Sequence, residues 1–228
     1  REGNDATLQL FLDFIKNIHP HAEALYILGD LFDVWVGDDF TSAFIQQIKT
    51  AIQSLTQDHI SVFFIPGNRD FLLGQRFCHE TGMKLLKEPT VIHLYGTPTL
   101  VMHGDTLCTS DVKYQRYRKV VRLRFVQSLF LKLSLERRLK IAGGLRKQST
   151  QHQKSVSLHI TDVCQNTVEK EIREYLCPHL IHGHTHRPYH HRFQVQGKDS
   201  HRFVLGDWHK DNAQILEADV NGLRLINY

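Results

Sequence analysis

The sequence predicts an α/β fold with stacked β-sheets, and three observations support this prediction. Short apolar stretches repeatedly run into a glycine turn, as in ALYILGD at 24–30 and SVFFIPGNRD at 61–70, which is typical of strands followed by a loop. Segments with helical periodicity lie between the early stretches. Strands predominate towards the end of the chain, which favours stacked sheets over a pure βαβ repeat.

The first half of the chain alternates between helices and strands. Apolar residues recur every three or four positions at 6–18 and again at 41–55, which predicts two amphipathic helices. The predicted strand at 24–30 lies between the two helices, and the strand at 61–70 follows the second helix. TLVMHGD at 99–105 is a third strand that ends in a glycine turn.

The second half contains a basic segment and then mostly strands. Helical periodicity returns in HITDVCQNTVEKEIREYL at 159–176, which predicts one more helix. PHLIHGHTH at 178–186 and RFVLGDW at 202–208 are two further strands that end in turns. The tail, with QILEA and LRLINY on either side of Asn221 and Gly222, predicts a closing hairpin.

Length and composition place the chain among ordinary globular proteins. Its 228 residues, 41% hydrophobic and 23% charged, predict one large domain, or one domain with an insertion. No apolar run approaches the roughly 18 residues that a membrane-spanning helix needs, and the polar start REGNDATLQL does not resemble a cleavable signal peptide. Four widely spaced cysteines without a CxxC pair predict reduced thiols and a cytoplasmic protein.

Positive charge is concentrated in one segment. Residues 111–157 contain 13 Lys and Arg but only two acidic residues, Asp111 and Glu136, which gives this segment a net charge of +11 in a chain of net charge +4. The remainder is therefore mildly acidic. We predict a core formed by 1–110 and 158–228, and a basic insertion at 111–157.

Candidate metal ligands follow four of the predicted strands. The motifs LGDLFD, PGNRD, MHGD and HGHTH supply Asp30, Asn68, His103, His184 and His186. Ligands of open α/β sheets bind outside the carboxyl ends of the strands, so these side chains are expected to meet. Each motif alone has an ordinary explanation as a turn or a buried histidine, but their conjunction favours a metal site.

The chemistry of this set points to two cations. A carboxylate, an amide oxygen and three imidazoles without a thiolate suit Mn²⁺, Fe²⁺ or Zn²⁺ in a reactive centre better than they suit a soft metal or a structural zinc. A carboxylate can bridge two cations, and two metals roughly 3.5–4 Å apart form the usual clamp for displacement at phosphorus.

The motifs GDLFD, GNRD, HGD and GHTH resemble, in this order, those of the calcineurin-like metallophosphoesterases. The resemblance implies a four-layer αββα sandwich with a dinuclear metal centre. The basic segment at 111–157 would be a helical lid inserted into this fold. The longer stretches LYILGDLFDVWVGDD, GNRDFLLG, MHGDTLCTSD, LIHGHTHRP and VLGDWHK are similar to those members that cleave a UDP-linked diacylglucosamine in the lipid A pathway of Gram-negative bacteria. In these members, as here at Arg69, an arginine replaces the histidine that usually follows the asparagine.

The resemblance implies a reaction and its cofactors. Water would attack the α-phosphorus of the lipid nucleotide, with two Mn²⁺ ions per chain, and release UMP and 2,3-diacylglucosamine 1-phosphate. Asp30 would bridge the metals, Asn68, His103 and His184 would complete one site, and His186 would serve the other. The expected location is the cytoplasm, peripheral on the cytoplasmic face of the inner membrane, where the lipid substrate lies.

The resemblance also implies which residues contact the substrate. These lie partly in the metal motifs and partly in the insertion, and they are Asn68, Arg69, Asp111, Tyr114, Arg146, Ser149, Gln153 and His184. Asp30, Asn68, His103 and His184 are the expected catalytic residues.

Two departures from the family pattern stand out. The Asp-x-His motif of the first family strand does not occur before Asp30, so we expect it upstream of Arg1, where it would supply two more ligands for the metal at His186. Near the end of the insertion, Gln153 and Val156 occupy positions where the family favours Asn and Lys. Lys154 is a candidate for the missing cation.

The insertion predicts a contact with a lipid. VRLRFVQSLFLKLSLERRLKIAGGLRK at 121–147 places Phe125, Leu129, Leu133 and Leu139 on one apolar face between cations, which is typical of helices that bind anionic membranes or acidic ligands. We expect a lid that shelters acyl chains. Nucleic acid is not an expected partner because aromatic residues for base stacking are sparse.

Three alternatives remain open on the sequence. The insertion could be a solvated helix pair packed on the core. The substrate could be a soluble nucleotide or a phosphoprotein, or the chain could be a catalytically silent scaffold that has kept the fold.

Overall fold

The computed structural model describes residues 5–155, 160–210 and 212–228, the side chains of 152–155 excepted. Within this part of the chain the helices are α1 (Asp5–Ile18), α2 (Ala43–Gln57), α3 (Gln75–Thr81), α4 (Val112–Val121), α5 (Arg124–Leu131), α6 (Leu135–Ser155) and α7 (Gln165–Tyr175). The strands are β1 (Ala24–Ile27), β2 (Ser61–Phe64), β3 (Lys84–Leu85), β4 (Thr90–Leu94), β5 (Thr97–Val101), β6 (His179–His182), β7 (Tyr189–Val195), β8 (Lys198–Val204), β9 (Gln214–Asp219) and β10 (Gly222–Asn227).

The strands form two main sheets and a hairpin. The first sheet is parallel, in the order β1-β2-β3, and the second has the order β4-β5-β6-β8-β7 with β5, β6 and β8 parallel. Ile27 pairs with Phe64 at the end of the first sheet, and Val101 pairs with Ile181 in the second. Because paired parallel strands end at the same edge, the loops that follow them lie side by side.

Three buried clusters show how the layers stack. Side chains of α1 and α2, such as Ile15 and Ile52, pack with Phe64 of β2 on one outer face. A second cluster lies between the sheets, and Leu28, Ile65, Val101, Ile181 and Phe203 are its buried members. On the other outer face, side chains of α7 pack against β5 and β6. The order helix, sheet, sheet, helix confirms the predicted αββα architecture.

The predicted helices and strands mostly exist, with shorter strands than expected. The stretches at 24–30 and 61–70 are strands only to Ile27 and Phe64, and the polar residues that follow are loops. The predicted helix at 159–176 begins only at Gln165. Strands β3, β4 and β7 and helix α3 were missed, because β3 and α3 are very short and β7, YHHRFQV, lacks the apolar character of a core strand.

The predicted insertion contains three consecutive helices, α4 to α6. The carboxylate of Asp111 caps α4 by accepting a hydrogen bond from Tyr114 N at 2.9 Å, which satisfies one of the free donors at a helix start. The predicted single apolar face is divided, because Leu133 lies in the break between α5 and α6. Phe125 and Leu129, one turn apart on α5, are exposed at 73% and 48%.

Apolar surface on these helices does not amount to a membrane span. Among the residues that the structure describes, no helix combines the length and the hydropathy needed to cross a bilayer.

Candidate metal centre

Two glycines bring the loops after β1 and β2 into backbone contact. Gly29 and Asp30 both have left-handed backbone conformations, with φ of 83° and 55°. A Cβ on Gly29 would lie 2.5 Å from Gly67 Cα, and a Cβ on Gly67 would lie 2.2 Å from Asp30 Oδ1. Since neither approach is possible for a real side chain, both positions require glycine. The glycine turns of LGD and PGN therefore set the distance between Asp30 and Asn68.

Asp70, the last residue of GNRD, connects these two loops through hydrogen bonds of its side chain. Its buried carboxylate accepts hydrogen bonds from Gly67 N at 2.8 Å, Asp30 N at 3.2 Å and Phe32 N at 3.3 Å. Burial, and then the negative charge of Asp30, raises the pKa of Asp70. Asp70 was not among the predicted site residues, although it belongs to the same motif as Asn68.

Two imidazole nitrogens lie at hydrogen-bond distance from the side-chain oxygen of Asn68. Its Oδ1 lies 3.0 Å from His103 Nε2 and 3.1 Å from His184 Nδ1, and His103 Nε2 lies 3.8 Å from Asp30 Oδ1. His103 Nδ1 lies 2.8 Å from the carbonyl oxygen of Leu28. In the neutral ring that donates this hydrogen bond, Nε2 carries the lone pair and faces the amide oxygen.

This donor set fits a divalent cation. Ligand atoms of Asp30, His103 and His184 all lie within 4.8 Å of one another, and the amide oxygen of Asn68 adjoins both imidazoles. A neutral imidazole whose lone pair faces these oxygens is able to bind a divalent cation. Carboxylate, amide oxygen and imidazole are ligands that suit Mn²⁺ and neighbouring metals.

The two inner histidines have different electrostatic surroundings. Burial alone would lower the pKa of His103, but the carboxylates of Asp30, Asp105 and Glu88 outweigh it and the pKa is raised. Burial and the neighbouring His103 lower the pKa of His184 to about 3, so this imidazole stays neutral near pH 7. Negative potential at one ring and a neutral second ring both favour metal binding.

His186 lies outside this compact group. Its Nδ1 is 3.9 Å from Asp207 Oδ1, and Asp207 Oδ2 is 3.5 Å from His209 Nε2. Asp207 and His209 were not among the predicted site residues, although both belong to the quoted stretch VLGDWHK. The assignment of His186 to a second metal stays a prediction.

Two of the predicted substrate-contacting arginines meet at one carboxylate. Asp33 Oδ1 lies 3.3 Å from Arg69 Nη1, which belongs to the core, and 3.3 Å from Arg146 Nη2, which belongs to α6. Arg69 Nε also lies 3.5 Å from Asp30 Oδ2. The structure thus places two guanidinium groups near the candidate metal ligand Asp30. Asp33, which joins them, was not predicted.

The other predicted substrate contacts have diverse positions. Tyr114 stacks on His184 with ring centroids 6.0 Å apart, and Asp111 is buried at the start of α4. Ser149 is exposed on α6. The backbone of Gln153 continues α6, but its side chain and the whole of Val156 lie outside the described residues. Substrate contact by these residues stays a prediction.

Comparison with known proteins identifies the family of this chain. The family model of the calcineurin-like phosphoesterases matches residues 1–188. A UDP-2,3-diacylglucosamine hydrolase of Photobacterium profundum is 49% identical over 98% of this chain and 91% of its own length. Proteins of the same name from Haemophilus influenzae and Haemophilus ducreyi are 47% and 45% identical, over 93% and 95% of this chain and 88% and 91% of their own lengths. The chain therefore belongs to the calcineurin-like phosphoesterase family.

Proposed function

We propose that this chain hydrolyses the pyrophosphate bond of UDP-2,3-diacylglucosamine by attack of water at the α-phosphorus. The products would be UMP and 2,3-diacylglucosamine 1-phosphate. The observation that carries the proposal is the similarity, at 43–49% identity over nearly the whole chain, to proteins named for this hydrolase activity. The convergence of Asp30, His103 and His184 supports a metal-dependent hydrolysis.

The proposed cofactor is a pair of Mn²⁺ ions. Asp30, Asn68, His103 and His184 would hold one ion, and His186 would contribute to the other. Bound divalent ions supply an activated water and neutralise charge on phosphoryl oxygens. A ligand set of oxygens and imidazoles without cysteine is consistent with Mn²⁺.

The side chains near the metal ligands suggest how a diphosphate is oriented. Arg69 Nη1 and Arg146 Nη2 both lie 3.3 Å from Asp33 Oδ1. Asp33 therefore holds the two guanidinium groups together near the candidate metal ligands. A guanidinium presents paired donors that match phosphoryl oxygens. We assign phosphate binding to these two arginines and the ordering of the pair to Asp33.

The insertion is the proposed site for the acyl chains. Phe125 and Leu129 expose apolar surface on α5, while the basic residues of 111–157 surround it with positive charge. Such a surface favours contact with an anionic bilayer and with lipid chains. We therefore propose peripheral binding at the cytoplasmic face of the inner membrane.

The test is a hydrolysis assay in ¹⁸O-labelled water with metal-free and Mn²⁺-loaded protein. Attack at the α-phosphorus places the label in UMP, and no product forms without the metal. Label in the sugar phosphate would contradict the site of attack. A panel containing UDP-glucose, a soluble phosphodiester and a phosphopeptide tests the alternatives, since faster turnover of any of these would exclude the lipid as the preferred substrate.

A further inference from the structure

The first helix of the insertion, α4, contacts the loop that carries His103. The side chain of Arg118 is only 19% exposed, and it makes two short ion pairs there. Its Nη2 donates to Glu88 Oε2 at 2.7 Å, and its Nε donates to Asp105 Oδ2 at 2.7 Å. One guanidinium therefore joins two carboxylates that are 17 positions apart in sequence.

Both carboxylates are directly tied to the His103 loop. Glu88 Oε1 accepts hydrogen bonds from His103 N at 2.8 Å and from Gly104 N at 3.4 Å. Asp105 follows His103 by two residues, and Gly104 between them has a left-handed φ of 111°. The backbone that presents the His103 imidazole is therefore held by Glu88 on one side and Asp105 on the other. Arg118 links the two supports.

The charge balance of this cluster depends on Arg118. Asp105 is fully buried, and the side chain of Glu88 is 7% exposed. Among the described residues, Tyr114 also bonds the Asp105 carboxylate, since its hydroxyl donates to Oδ2 at 2.5 Å. Removing the guanidinium would leave two buried carboxylates without their shared cation, which is strongly unfavourable. The local backbone would be expected to rearrange, and His103 with it.

Neighbouring side chains of α4 extend the same contact. Gln115 Nε2 donates to the carbonyl oxygen of Asp105 at 2.8 Å. One turn beyond Arg118, Arg122 Nη2 donates to Gly67 O at 2.8 Å, in the loop that carries Asn68. The inward face of α4 thus spans the loops of two candidate metal ligands.

We propose that Arg118 is a positioning residue, which holds His103 in the metal-binding geometry through Glu88 and Asp105. Its guanidinium donates to Glu88 and Asp105, which are not among the candidate metal ligands. The inference rests on the proposed metal-dependent function. It assigns to the insertion a task in building the metal centre, in addition to the proposed contact with lipid.

The test compares Arg118→Met and Arg118→Lys with Arg116→Met, a control on the exposed side of the same helix. The dissociation constant of Mn²⁺ is measured by calorimetry without substrate, and folding is checked by circular dichroism. We expect Mn²⁺ to bind about 10–100-fold more weakly to Arg118→Met, the usual effect of losing a group that orients a metal ligand. We expect Arg118→Lys to retain part of the Mn²⁺ affinity that Arg118→Met loses, and Arg116→Met to bind Mn²⁺ as tightly as the wild-type protein.

Kinetics separate positioning from substrate binding. At subsaturating Mn²⁺ the kcat of Arg118→Met falls, whereas its KM for the lipid substrate stays within about twofold of the wild-type value, as expected for a residue that does not bind substrate. A KM effect without a change in Mn²⁺ affinity would overturn the proposal.

A double-mutant cycle tests the route through Glu88. Glu88→Gln also weakens Mn²⁺ binding, and combining it with Arg118→Met costs less than the sum of the two single effects, as expected for residues that act together. If Arg118→Met does not fold, Arg118→Lys and Glu88→Gln still decide, because wild-type Mn²⁺ affinity in both would overturn the positioning role. Failure of the wild-type protein to bind Mn²⁺ would instead contradict the proposed function itself.

Discussion

The loops at the strand ends are buried and closely packed, whereas part of the basic insertion is highly exposed. His103 is 1% exposed and the loops after β1 and β2 touch through their backbones, so the position of each polar side chain is tightly defined. The insertion instead leaves Phe125 73% exposed among many cations. This difference matches the proposed roles, in which the preorganised centre would bind metal and the exposed surface of the insertion would bind the lipid.

The two regions are nevertheless connected at the base of the insertion. Arg138 of α6 is buried, and its Nη1 donates to Val36 O at 2.6 Å and to Asp39 Oδ1 at 2.7 Å. Arg118 of α4 and Arg122, the residue directly after α4, make the contacts described above. The insertion therefore contacts the core through α4 and the start of α6, whereas α5 exposes its apolar side chains.

The largest expected effect comes from removing a ligand in the preorganised centre. His184→Asn should lower kcat/KM by more than about 100-fold, beyond the usual cost of losing an outer support of a ligand, and it should reduce bound Mn²⁺. Metal analysis and steady-state kinetics check this, with the exposed His93→Asn as the control. Normal Mn²⁺ stoichiometry in His184→Asn would contradict the role of His184 as a metal ligand.

Charges placed on the open surface test the other side of the comparison. Phe125→Asp combined with Leu129→Asp should reduce turnover of the lipid substrate by about 10–100-fold, which corresponds to losing the burial of one or two large apolar side chains. Turnover of a small water-soluble phosphodiester should change little. Val220→Asp, at an even more exposed apolar residue of the hairpin formed by β9 and β10, is the control. Equal losses on both substrates would contradict a role in lipid binding.

The anchor at Arg138 should affect stability more than chemistry. Arg138→Met removes hydrogen bonds from a charged donor to Val36 O and Asp39, which should cost about 1–3 kcal/mol in the free energy of unfolding. Urea unfolding measures this cost, and the exposed Arg137→Met is the control on the same helix. Mn²⁺ affinity should stay at its wild-type value, so a parallel loss of metal binding would show that α6 also supports the centre.

The smallest expected effect is a pH dependence remote from both regions. Burial, followed by the neighbouring histidines, lowers the pKa of His179 and His190 on the second sheet. The folded protein therefore binds protons there less readily than the unfolded chain, so stability falls as the pH decreases from about 6.5, the ordinary histidine value.

A single substitution in this sheet checks the sign of that dependence. His190→Phe removes one titrating group and can retain the stacking on Phe203, now at 4.1 Å between centroids. The free energy of unfolding should then depend less on pH between about 7 and 5, the range in which histidine titrates. A steeper dependence in this variant would contradict the assignment.

The sequence predicted the parts of the site that depend on local pattern. Asp30, Asn68, His103 and His184 were found because each follows an apolar strand and a glycine turn, and the parallel sheets bring such turns together. The αββα layers were implied by the family resemblance that these motifs carry. Both predictions depend on residues close together in the chain.

Residues with long-range roles were not found in this way. Asp33 acquires its role by meeting Arg146, and Glu88 by meeting Arg118. Asp33 belongs to the quoted motif GDLFD, but neither motif nor spacing identifies its distant partner. The break at Leu133 was missed for a related reason, because apolar spacing continues across it although the helix does not. Lid function, the role of His186 and the substrate contacts of Ser149 and Gln153 stay predictions.

The tight contact between Gly29 and Gly67 limits how this site can be redesigned. A different metal preference can be sought by exchanging ligand side chains, since imidazole and carboxylate groups can be replaced without moving the main chain. Enlarging either glycine would push apart the loops that carry Asp30 and Asn68 and alter the distances between these two residues and the other candidate ligands. Directed evolution of new specificity should therefore leave these two positions unvaried and place its diversity at the tips of the side chains and in the outer helices.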